Sequence, residues 1–253
     1  MANPVLWQFK YSHYNEKARW ALDFKRVPHV RRSLLPGAHI PRVLWMTGQK
    51  AVPVLVLDGR AIADSTRIIE ALERWRPQPA LYPPDPGERT RASELEEFFD
   101  EELGPHLRRT WFYEIMPDAD FTVNQLTVGR CQSTRRIYRG LYPVVSRVMR
   151  ADMGINAAGA AAGRAKAEAA LDRISAELQP SGYLVGTAFS VADLTAAALL
   201  SPIVMPREFP YPFISPLPAP AAKYRASLAQ HPAFLWAAEM YRRHRSPSME
   251  VVG

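Results

Sequence analysis

The chain has 253 residues, of which 47% are hydrophobic and 23% charged, enough apolar material for one large domain or two of ordinary size. Its net charge is +7, but acidic residues are interspersed with the basic ones, so we expect solvated surfaces and no nucleic-acid partner. No apolar run approaches the roughly 20 residues of a membrane-spanning helix, and a strand pattern begins directly after Pro4. We therefore expect a cytoplasmic protein with no membrane partner. The single cysteine and six scattered histidines indicate no disulfide and no metal site.

Residues 1–77 alternate between strand and helix patterns. Apolar and β-branched runs predict strands at 5–9, 29–35 and 52–57, and the Asp58-Gly59 pair predicts a hairpin with a return strand at 60–63. Helical periodicity predicts helices over 15–25 and from Asp64 or Ser65 to beyond Ile69. Residues 37–48 show no clear pattern. The resulting order, β-α-β-(α)-β-β-α, is typical of a thioredoxin-like α/β domain.

The rest of the chain is predicted to be helical. A proline-rich stretch, residues 78–86, reads as a semi-rigid linker to an all-α helical domain over 87–253. Ser190 with Asp193 forms a capping-box pattern at the start of one helix. Seven prolines within residues 201–220 predict a long irregular loop. The helical patterns cover 88–116, 122–149, 157–178, 190–200 and 221–243.

A hydroxyl residue, Ser12, stands at the turn between the first predicted strand and helix. Ser12 and Asn15 occupy the positions at which a Cys-x-x-Cys motif has its sulfur atoms, so dithiol exchange is impossible at this turn. A hydroxyl at a helix start can donate a hydrogen bond to a bound thiolate, and the helix dipole favours the same anion. The pattern indicates a thiol-binding turn, with plain helix capping by Ser12 as the alternative.

Two further segments carry binding chemistry. Val52-Pro53 precedes a central strand, and a cis bond there would leave the backbone amide and carbonyl of Val52 free to pair with a peptide-like ligand. At the start of the next helix, the free amides and the Ser65 hydroxyl suit a carboxylate, while Asp64 suits an ammonium group. These residues would together hold the α-amino-acid end of a ligand. The alternative is that Asp64 simply caps the helix.

These segments, in this order, resemble the N-terminal domain of bacterial glutathione S-transferases. The resemblance rests on residues 12–22, 52–55 and 63–72, and on residues 182–186 with 189–194, which are similar to a capping motif of the family's C-terminal domain. It implies a thioredoxin-like α/β domain followed by an all-α domain, and a homodimer. It is weak over residues 117–160 and 201–220.

The resemblance also implies which residues bind glutathione. Ser12 would lie beside the glutathione sulfur, Val52 would bind the cysteinyl backbone next to Pro53, and Asp64 with Ser65 would bind the γ-glutamyl group. The other candidates are Lys50, Gln49 and His39 near the glycyl carboxylate, and Tyr14 and Asn15 beside the first turn.

Some positions depart from the family pattern or leave alternatives open. Tyr11 and Tyr14 flank Ser12, so either phenol is an alternative thiolate partner. Asn15 stands where related bacterial sequences often carry cysteine. The loop over residues 201–220 is not a standard feature of the family. We expect it to border the electrophile pocket and to set the substrate range, with a surface elaboration or a dimer contact as the alternative.

The expected function is conjugation of glutathione to a small apolar electrophile, as in detoxification, with Ser12 stabilising the thiolate. Glutathione would be a co-substrate, and we expect no cofactor and no metal. Aromatic candidates for the electrophile pocket are Trp111 and Tyr113, although aromatic residues at this spacing also fit a core. Two alternatives remain: a glutathione-dependent isomerase, dehalogenase or lyase, and a binding protein that kept the fold without catalysis.

Overall fold

The computed structural model describes residues 2–252, which begin with a four-stranded mixed sheet and its helices. The strand order is β2-β1-β3-β4, with β1 parallel to β2 and β3 antiparallel to both β1 and β4. This is the thioredoxin-like architecture that the sequence predicts. The elements are β1 (Val5–Gln8), α1 (His13–Phe24), β2 (Val30–Ser33), α2 (Ile40–Thr47), β3 (Val54–Leu57), β4 (Arg60–Ala63) and α3 (Ser65–Trp75).

The hairpin between β3 and β4 confirms the sequence prediction. Asp58 and Gly59 both have positive φ, at 48° and 79°, as a two-residue turn between twisted strands requires. The two strands pair from Val54 with Ala63 to Leu57 with Arg60. The turn leads β4 directly to Asp64, the residue that caps α3.

Helix α2 lies within residues 37–48, which show no clear pattern in the sequence. It begins near Pro41, which is acceptable in the first turn of a helix, and ends at Gly48 in the left-handed conformation. Within it only Val43 is buried, and the Trp45 side chain is 84% exposed. Because the helix has almost no inward-facing apolar stripe, periodicity could not identify it.

The second part of the chain is helical, as predicted. Ser190 and Asp193 form the predicted capping box, in which both the Ser190 N–H and the Ser190 hydroxyl donate to the Asp193 carboxylate. The elements are α4 (Pro86–Phe98), a π-helical segment (Phe99–Leu103), α5 (Gly104–Ile115), α6 (Ala119–Leu126), α7 (Gln132–Met153), α8 (Ala157–Glu177), α9 (Val191–Val204), α10 (Ala219–Leu228) and α11 (Pro232–His244).

Three segments that were predicted to be single continuous helices are each interrupted in the structure, so these three predictions were wrong. The helix over 88–116 contains the π-helical segment just before Pro105, whose ring conflicts with the carbonyl of Glu101 in a regular α-helix. The helix over 122–149 divides near Gly129, which has a positive φ of 76°. The helix over 221–243 divides at Pro232, the first residue of α11, which His231 caps.

The irregular loop is shorter than predicted. Helix α9 continues through Pro202 to Val204, so this proline lies within the last turn of the helix. The segment between α9 and α10, residues 205–218, is called the proline-rich loop below. No helix within residues 2–252 is long and apolar enough to cross a membrane.

The α/β part and the helical part share one core. Helix α1 packs against α9, and Trp20 of α1 is fully buried against Phe189 and Tyr241. This packing fixes the N-terminal turn of α1 relative to the helical part. The predicted domain boundaries, at residues 77 and 86, stay predictions; α3 ends at Trp75 and α4 begins at Pro86.

Candidate active site

The turn between β1 and α1 presents the Ser12 hydroxyl. Ser12 is the N-cap of α1, with extended backbone angles (φ −84°, ψ 128°), and its side-chain oxygen accepts a hydrogen bond from the Asn15 amide at 3.5 Å. The side chain is half-buried. Among residues 2–252 no acceptor takes the hydroxyl hydrogen, so Ser12 caps the helix and can still donate to a bound group.

The hydroxyl groups of the two tyrosines near Ser12 already donate hydrogen bonds within the protein. Tyr11 donates to the carbonyl of Pro212 at 2.5 Å, and Tyr14 donates to the carbonyl of Asp100 at 2.6 Å. Burial raises the pKa of both phenols above the ordinary value. Tyr11 therefore holds the proline-rich loop, and Tyr14 holds the π-helical segment.

His13 and Asn15 lie inside the protein. The His13 ring nitrogen Nε2 is 3.1 Å from the carbonyl of Gly104. Burial first, and then the charges of Arg108 and Arg19, lower the pKa of His13 to about 3, so this imidazole is neutral. Asn15 is fully buried, and both polar atoms of its side chain lack a hydrogen-bond partner among residues 2–252.

The Val52-Pro53 peptide bond is cis, as the sequence predicts. The ladder between β1 and β3 starts at the pair Trp7 and Val54, so Val52 lies just beyond the paired part of β3. Val52 is half-buried, and Pro53 is buried. This arrangement leaves Val52 at the end of the sheet on which Ser12 also lies.

The three candidates before Val52 form one corner of the site. The Gln49 side-chain amide donates to the carbonyl of Ala51 at 2.9 Å. The His39 ring lies edge-on to Phe9, and its Nε2 is 3.0 Å from the carbonyl of Lys50. The ammonium group of Lys50 pairs with the carboxylate of Asp152 on α7. Both side chains of this ion pair are more than half exposed, so it links the corner to the helical part through a solvated contact.

Asp64 and Ser65 form the start of α3. Asp64 has φ of +78°, a region that favours glycine, and its carboxylate accepts hydrogen bonds from the amides of Thr66 at 2.9 Å and Arg67 at 3.1 Å. Asp64 is exposed, whereas Ser65 is buried. The carboxylate thus caps the helix, and a strained backbone at an exposed acidic residue is a pattern that clusters at functional sites.

A buried ion cluster that sequence reasoning missed lies directly behind this helix start. The Lys17 ammonium group contacts the Glu96 carboxylate at 2.8 Å, the Asp100 carboxylate at 2.5 Å and the Thr66 hydroxyl at 2.8 Å. Burial alone would lower the pKa of Lys17, but the two carboxylates hold it above the usual value. Glu96 also accepts a hydrogen bond from Tyr82 at 2.9 Å.

Glu96 could have been recognised from its helical phase. It follows Ala92 by four residues and precedes Phe99 by three, so it falls in the buried stripe of α4. In the sequence, however, Glu96 stands in a run of acidic residues, which by itself gives no sign of burial. The cluster joins α1, α3 and α4, so it holds the α3 start in place against the helical part.

An apolar cavity of about 20 Å³ lies next to the Ser12 turn. Of the two aromatic candidates for the electrophile pocket, Trp111 lines this cavity and Tyr113 does not; their role toward an electrophile stays a prediction. A volume of this size holds about one water molecule. The proline-rich loop borders this cavity. The lining residues are Tyr11, Trp111, Phe121, Gln125, Ser201, Pro202, Met205, Phe209, Phe213, Ile214 and Leu217.

Comparison with known proteins gives matches to both parts of the chain. The model of the glutathione S-transferase N-terminal domain matches residues 6–80, and that of the C-terminal domain matches residues 157–226. The probable maleylacetoacetate isomerase 1 of Drosophila melanogaster is 30% identical over 108 residues, which are 40% of this chain and 44% of that protein. The probable glutathione S-transferase parA of Nicotiana tabacum is 29% identical over 111 residues, which are 43% of this chain and 50% of that protein.

These matches span about half the length of the curated relatives. Among solved structures, a glutathione S-transferase from Methylobacterium radiotolerans, crystallised with glutathione sulfonate, aligns with a TM-score of 0.55 at 22% identity. That alignment covers 94% of this chain and 95% of the other, and it shows the shared fold. The N-terminal domain model matches first along the chain and the C-terminal domain model second, and together they cover more than half of the residues. This chain therefore belongs to the glutathione S-transferase family.

Proposed function

We propose that this chain conjugates glutathione to a small apolar electrophile, with Ser12 as the thiolate partner. The observation that carries the proposal is the state of the three hydroxyl groups at the β1–α1 turn. Those of Tyr11 and Tyr14 donate to backbone carbonyls, while the hydroxyl hydrogen of Ser12 meets no acceptor within residues 2–252. Ser12 is therefore the hydroxyl group of this turn that can donate to a ligand.

In this reaction the glutathione thiol loses its proton to solvent, and the thiolate sulfur attacks the electrophilic carbon. A carbon–sulfur bond forms, and the leaving group departs with the electron pair of the bond that breaks. Lowering a thiol pKa by two units takes about 2.7 kcal/mol. A hydrogen bond to a charged group contributes about 1.5–3 kcal/mol and a helix N-terminus about 0.3–1 kcal/mol, so the turn is sufficient.

The rest of glutathione would bind along the edge formed by the other two segments. The γ-glutamyl ammonium group would meet the exposed Asp64 carboxylate, its carboxylate would meet the start of α3 at Ser65, and the cysteinyl backbone would pair with Val52. The glycyl carboxylate would compete with Asp152 for Lys50, which a solvated ion pair allows. His39 and Gln49 shape the same corner through their contacts with backbone carbonyls.

Two of the predicted glutathione-binding residues near the β1–α1 turn, Tyr14 and Asn15, pack toward the inside of the protein. Tyr14 holds the π-helical segment and Asn15 is fully buried, so we propose that both position the turn without touching the ligand. Pro53 likewise acts by orienting Val52. A homodimer and a cytoplasmic location stay predictions.

A glutathione-dependent isomerase is the second candidate function. It is favoured by the Drosophila relative, which is named a probable maleylacetoacetate isomerase. The same thiolate would add to an unsaturated substrate and leave again, so glutathione would not be consumed. A non-catalytic binding protein would bind glutathione but turn over neither type of substrate.

One set of measurements separates these functions. Titration calorimetry measures whether the full chain binds glutathione, and absorbance assays follow 1-chloro-2,4-dinitrobenzene and maleylacetoacetate in its presence. Consumption of glutathione with the chloride released supports the transferase. Conversion of maleylacetoacetate at constant glutathione supports the isomerase, and a complete lack of glutathione binding would refute both.

A further inference from the structure

The proline-rich loop is attached to the candidate thiol turn by two side-chain hydrogen bonds. Tyr11, the residue before Ser12, donates to the carbonyl of Pro212 at 2.5 Å. Gln8, the last residue of β1, donates its side-chain N–H to the hydroxyl of Tyr211 at 2.7 Å. Both contacts join segments about 200 residues apart in the chain, so they are specific to the folded arrangement of loop and turn.

Arg19 connects these contacts to the turn itself. Its Nη1 group donates to the side-chain oxygen of Gln8 at 2.6 Å and to the carbonyl of Phe9 at 3.2 Å, and its Nη2 group donates to the carbonyl of Ser12 at 3.4 Å. The same guanidinium lies 5.3 Å from the ring centres of Phe209 and Tyr211 in the loop. One buried cation therefore contacts both the thiol turn and the loop.

Arg19 is itself fixed from the opposite side. Its Nε group donates to the Glu16 carboxylate at 2.7 Å, and the second oxygen of that carboxylate accepts from Arg245 at 2.7 Å. Arg19, Glu16 and Arg245 are all buried. Since these charges hold one another, Arg19 is a fixed point and the neutral contacts of the loop are the ones that can open.

Aromatic rings of the loop line the cavity beside the thiol turn. Phe209 and Phe213 pack against each other with ring centres 4.7 Å apart, and Phe213 lies 6.1 Å from the ring of Tyr11. The cavity left beside them holds about one water molecule. An electrophile with an aromatic ring is several times larger, so it enters only if one of these rings moves away.

We propose that the proline-rich loop is a lid, latched to the thiol turn through Gln8 and Tyr11, and that the Phe213 ring occupies the position of the aromatic group of the electrophile. The inference rests on the proposed function for its substrate class, which is electrophiles that carry one flat aromatic ring. The size of the electrophile's ring then determines which electrophiles react, because that ring takes the place of the Phe213 ring.

The latch is tested by hydrogen exchange of the full chain, measured by mass spectrometry on peptides from the proline-rich loop. Tyr211→Phe keeps the ring and removes the hydroxyl that Gln8 contacts. We expect loop amides to exchange about tenfold faster, as the loss of about 1.4 kcal/mol would give. Tyr183→Phe, which removes a hydroxyl that accepts from Arg243 and makes no hydrogen bond to the loop within residues 2–252, is the matched control and should leave the loop unchanged. Unchanged loop exchange in Tyr211→Phe overturns the latch.

The substrate class is tested with Phe213→Ala and its control Phe98→Ala, which removes a half-buried ring of α4 that does not line the cavity. We expect Phe213→Ala to raise kcat/KM for 1-chloro-2,4-dinitrobenzene, relative to that for iodomethane, by about tenfold or more. A ratio equal to that of Phe98→Ala overturns the assignment of Phe213.

A third measurement does not depend on glutathione. In equilibrium dialysis, Phe213→Ala should bind the unreactive ring compound nitrobenzene about tenfold more tightly than the unsubstituted chain or Phe98→Ala. If the chain binds no glutathione and consumes neither electrophile, the proposed function fails, while the dialysis and exchange results still decide the lid. Equal nitrobenzene affinities in all three proteins overturn the aromatic site.

Discussion

The two sides of the candidate site are built in different ways. The thiol side consists of three turns of one sheet, at Ser12, Val52 and Asp64, and each is defined by two or three consecutive residues. The proposed acceptor side combines Tyr11 of the β1–α1 turn with Trp111 of α5, Phe121 of α6 and a loop about 200 residues from Ser12. Backbone geometry therefore determines the thiol side, whereas packing between distant segments determines the acceptor side.

The two sides also differ in what holds them. Behind the thiol side, the buried charges of Lys17, Glu96 and Asp100 join three elements. The acceptor side is closed by two hydrogen bonds between neutral groups, from Gln8 and Tyr11 to the loop. Removing one partner of a buried ion cluster is far more costly than losing a neutral hydrogen bond. This difference suits the function proposed above, in which one thiol is held at a fixed side and meets electrophiles at an adjustable side.

The largest expected effect comes from breaking the charge cluster behind the thiol side. Lys17→Met leaves the carboxylates of Glu96 and Asp100 buried without their cation, so the free energy of unfolding should fall by about 3–5 kcal/mol in urea titrations. The matched control is Lys166→Met, because Lys166 pairs with Glu102 on the surface and should change stability by about 0.5 kcal/mol or less. Equal losses in the two variants would contradict the distinction between the cluster and a surface ion pair.

The second effect concerns the thiolate. Ser12→Ala should lower kcat/KM by about 10- to 150-fold, which corresponds to one hydrogen bond of about 1.5–3 kcal/mol to a charged group. The pKa of bound glutathione, followed by thiolate absorbance against pH, should rise in the same variant. Ser93→Ala, on the exposed surface of α4, is the control. A bound thiol pKa that does not move in Ser12→Ala would transfer the role to a neighbouring residue.

The sequence predicted the sheet domain well because its signals are local. The strands, the Asp58-Gly59 hairpin, the cap at Asp64 and the cis bond before Pro53 each depend on a few adjacent residues. The predicted order leaves a place for helix α2, but its residues could not be located from the sequence, because Leu44 and Trp45 face solvent and Val43 alone gives no inward stripe.

The helical part was predicted in outline only. Periodicity indicated helices but missed the interruptions near Pro105, Gly129 and Pro232, because it records which residues recur on one face and not whether the backbone between them is unbroken. The acceptor side was harder still. Whether Trp111 or Tyr113 faces the cavity depends on the rotation of α5, which packing against distant helices decides. The residues of the Lys17 cluster are likewise brought together only by the fold.

A smaller effect links the two sides through His13, which starts α1 on the thiol side and contacts Gly104 of α5. Burial and nearby arginines lower its pKa to about 3, below the ordinary value of 6.5, so the unfolded chain binds a proton here that the folded chain does not. The contribution of His13 to the free energy of unfolding is therefore fully present above pH 6.5, and it is lost progressively as the pH is lowered toward 3. Between pH 7 and pH 5 the loss is about 2 kcal/mol.

His13→Gln keeps a side-chain donor for the Gly104 carbonyl but does not titrate. Urea unfolding at pH 7 and pH 5 should therefore show a smaller decrease in the free energy of unfolding for the variant, by about 2 kcal/mol. Parallel pH profiles for the two proteins would mean that His13 is as easily protonated in the folded chain as in the unfolded one. That result would contradict the conclusion that His13 is neutral where it contacts Gly104 of α5.

The smallest expected effect separates the two roles of Asp64, which caps α3 and is proposed to hold the γ-glutamyl ammonium group. Asp64→Asn keeps a capping oxygen and tolerates the positive φ, so stability should be retained, while loss of the charge should weaken glutathione binding about tenfold, or 1.4 kcal/mol. Asp64→Ala should lose that affinity and, without a cap, about 1 kcal/mol of stability as well. Asp85→Ala, which removes the cap of α4, should lose stability alone. Calorimetry showing full glutathione affinity in Asp64→Asn would reduce Asp64 to a helix cap and shift amine recognition elsewhere on the thiol side.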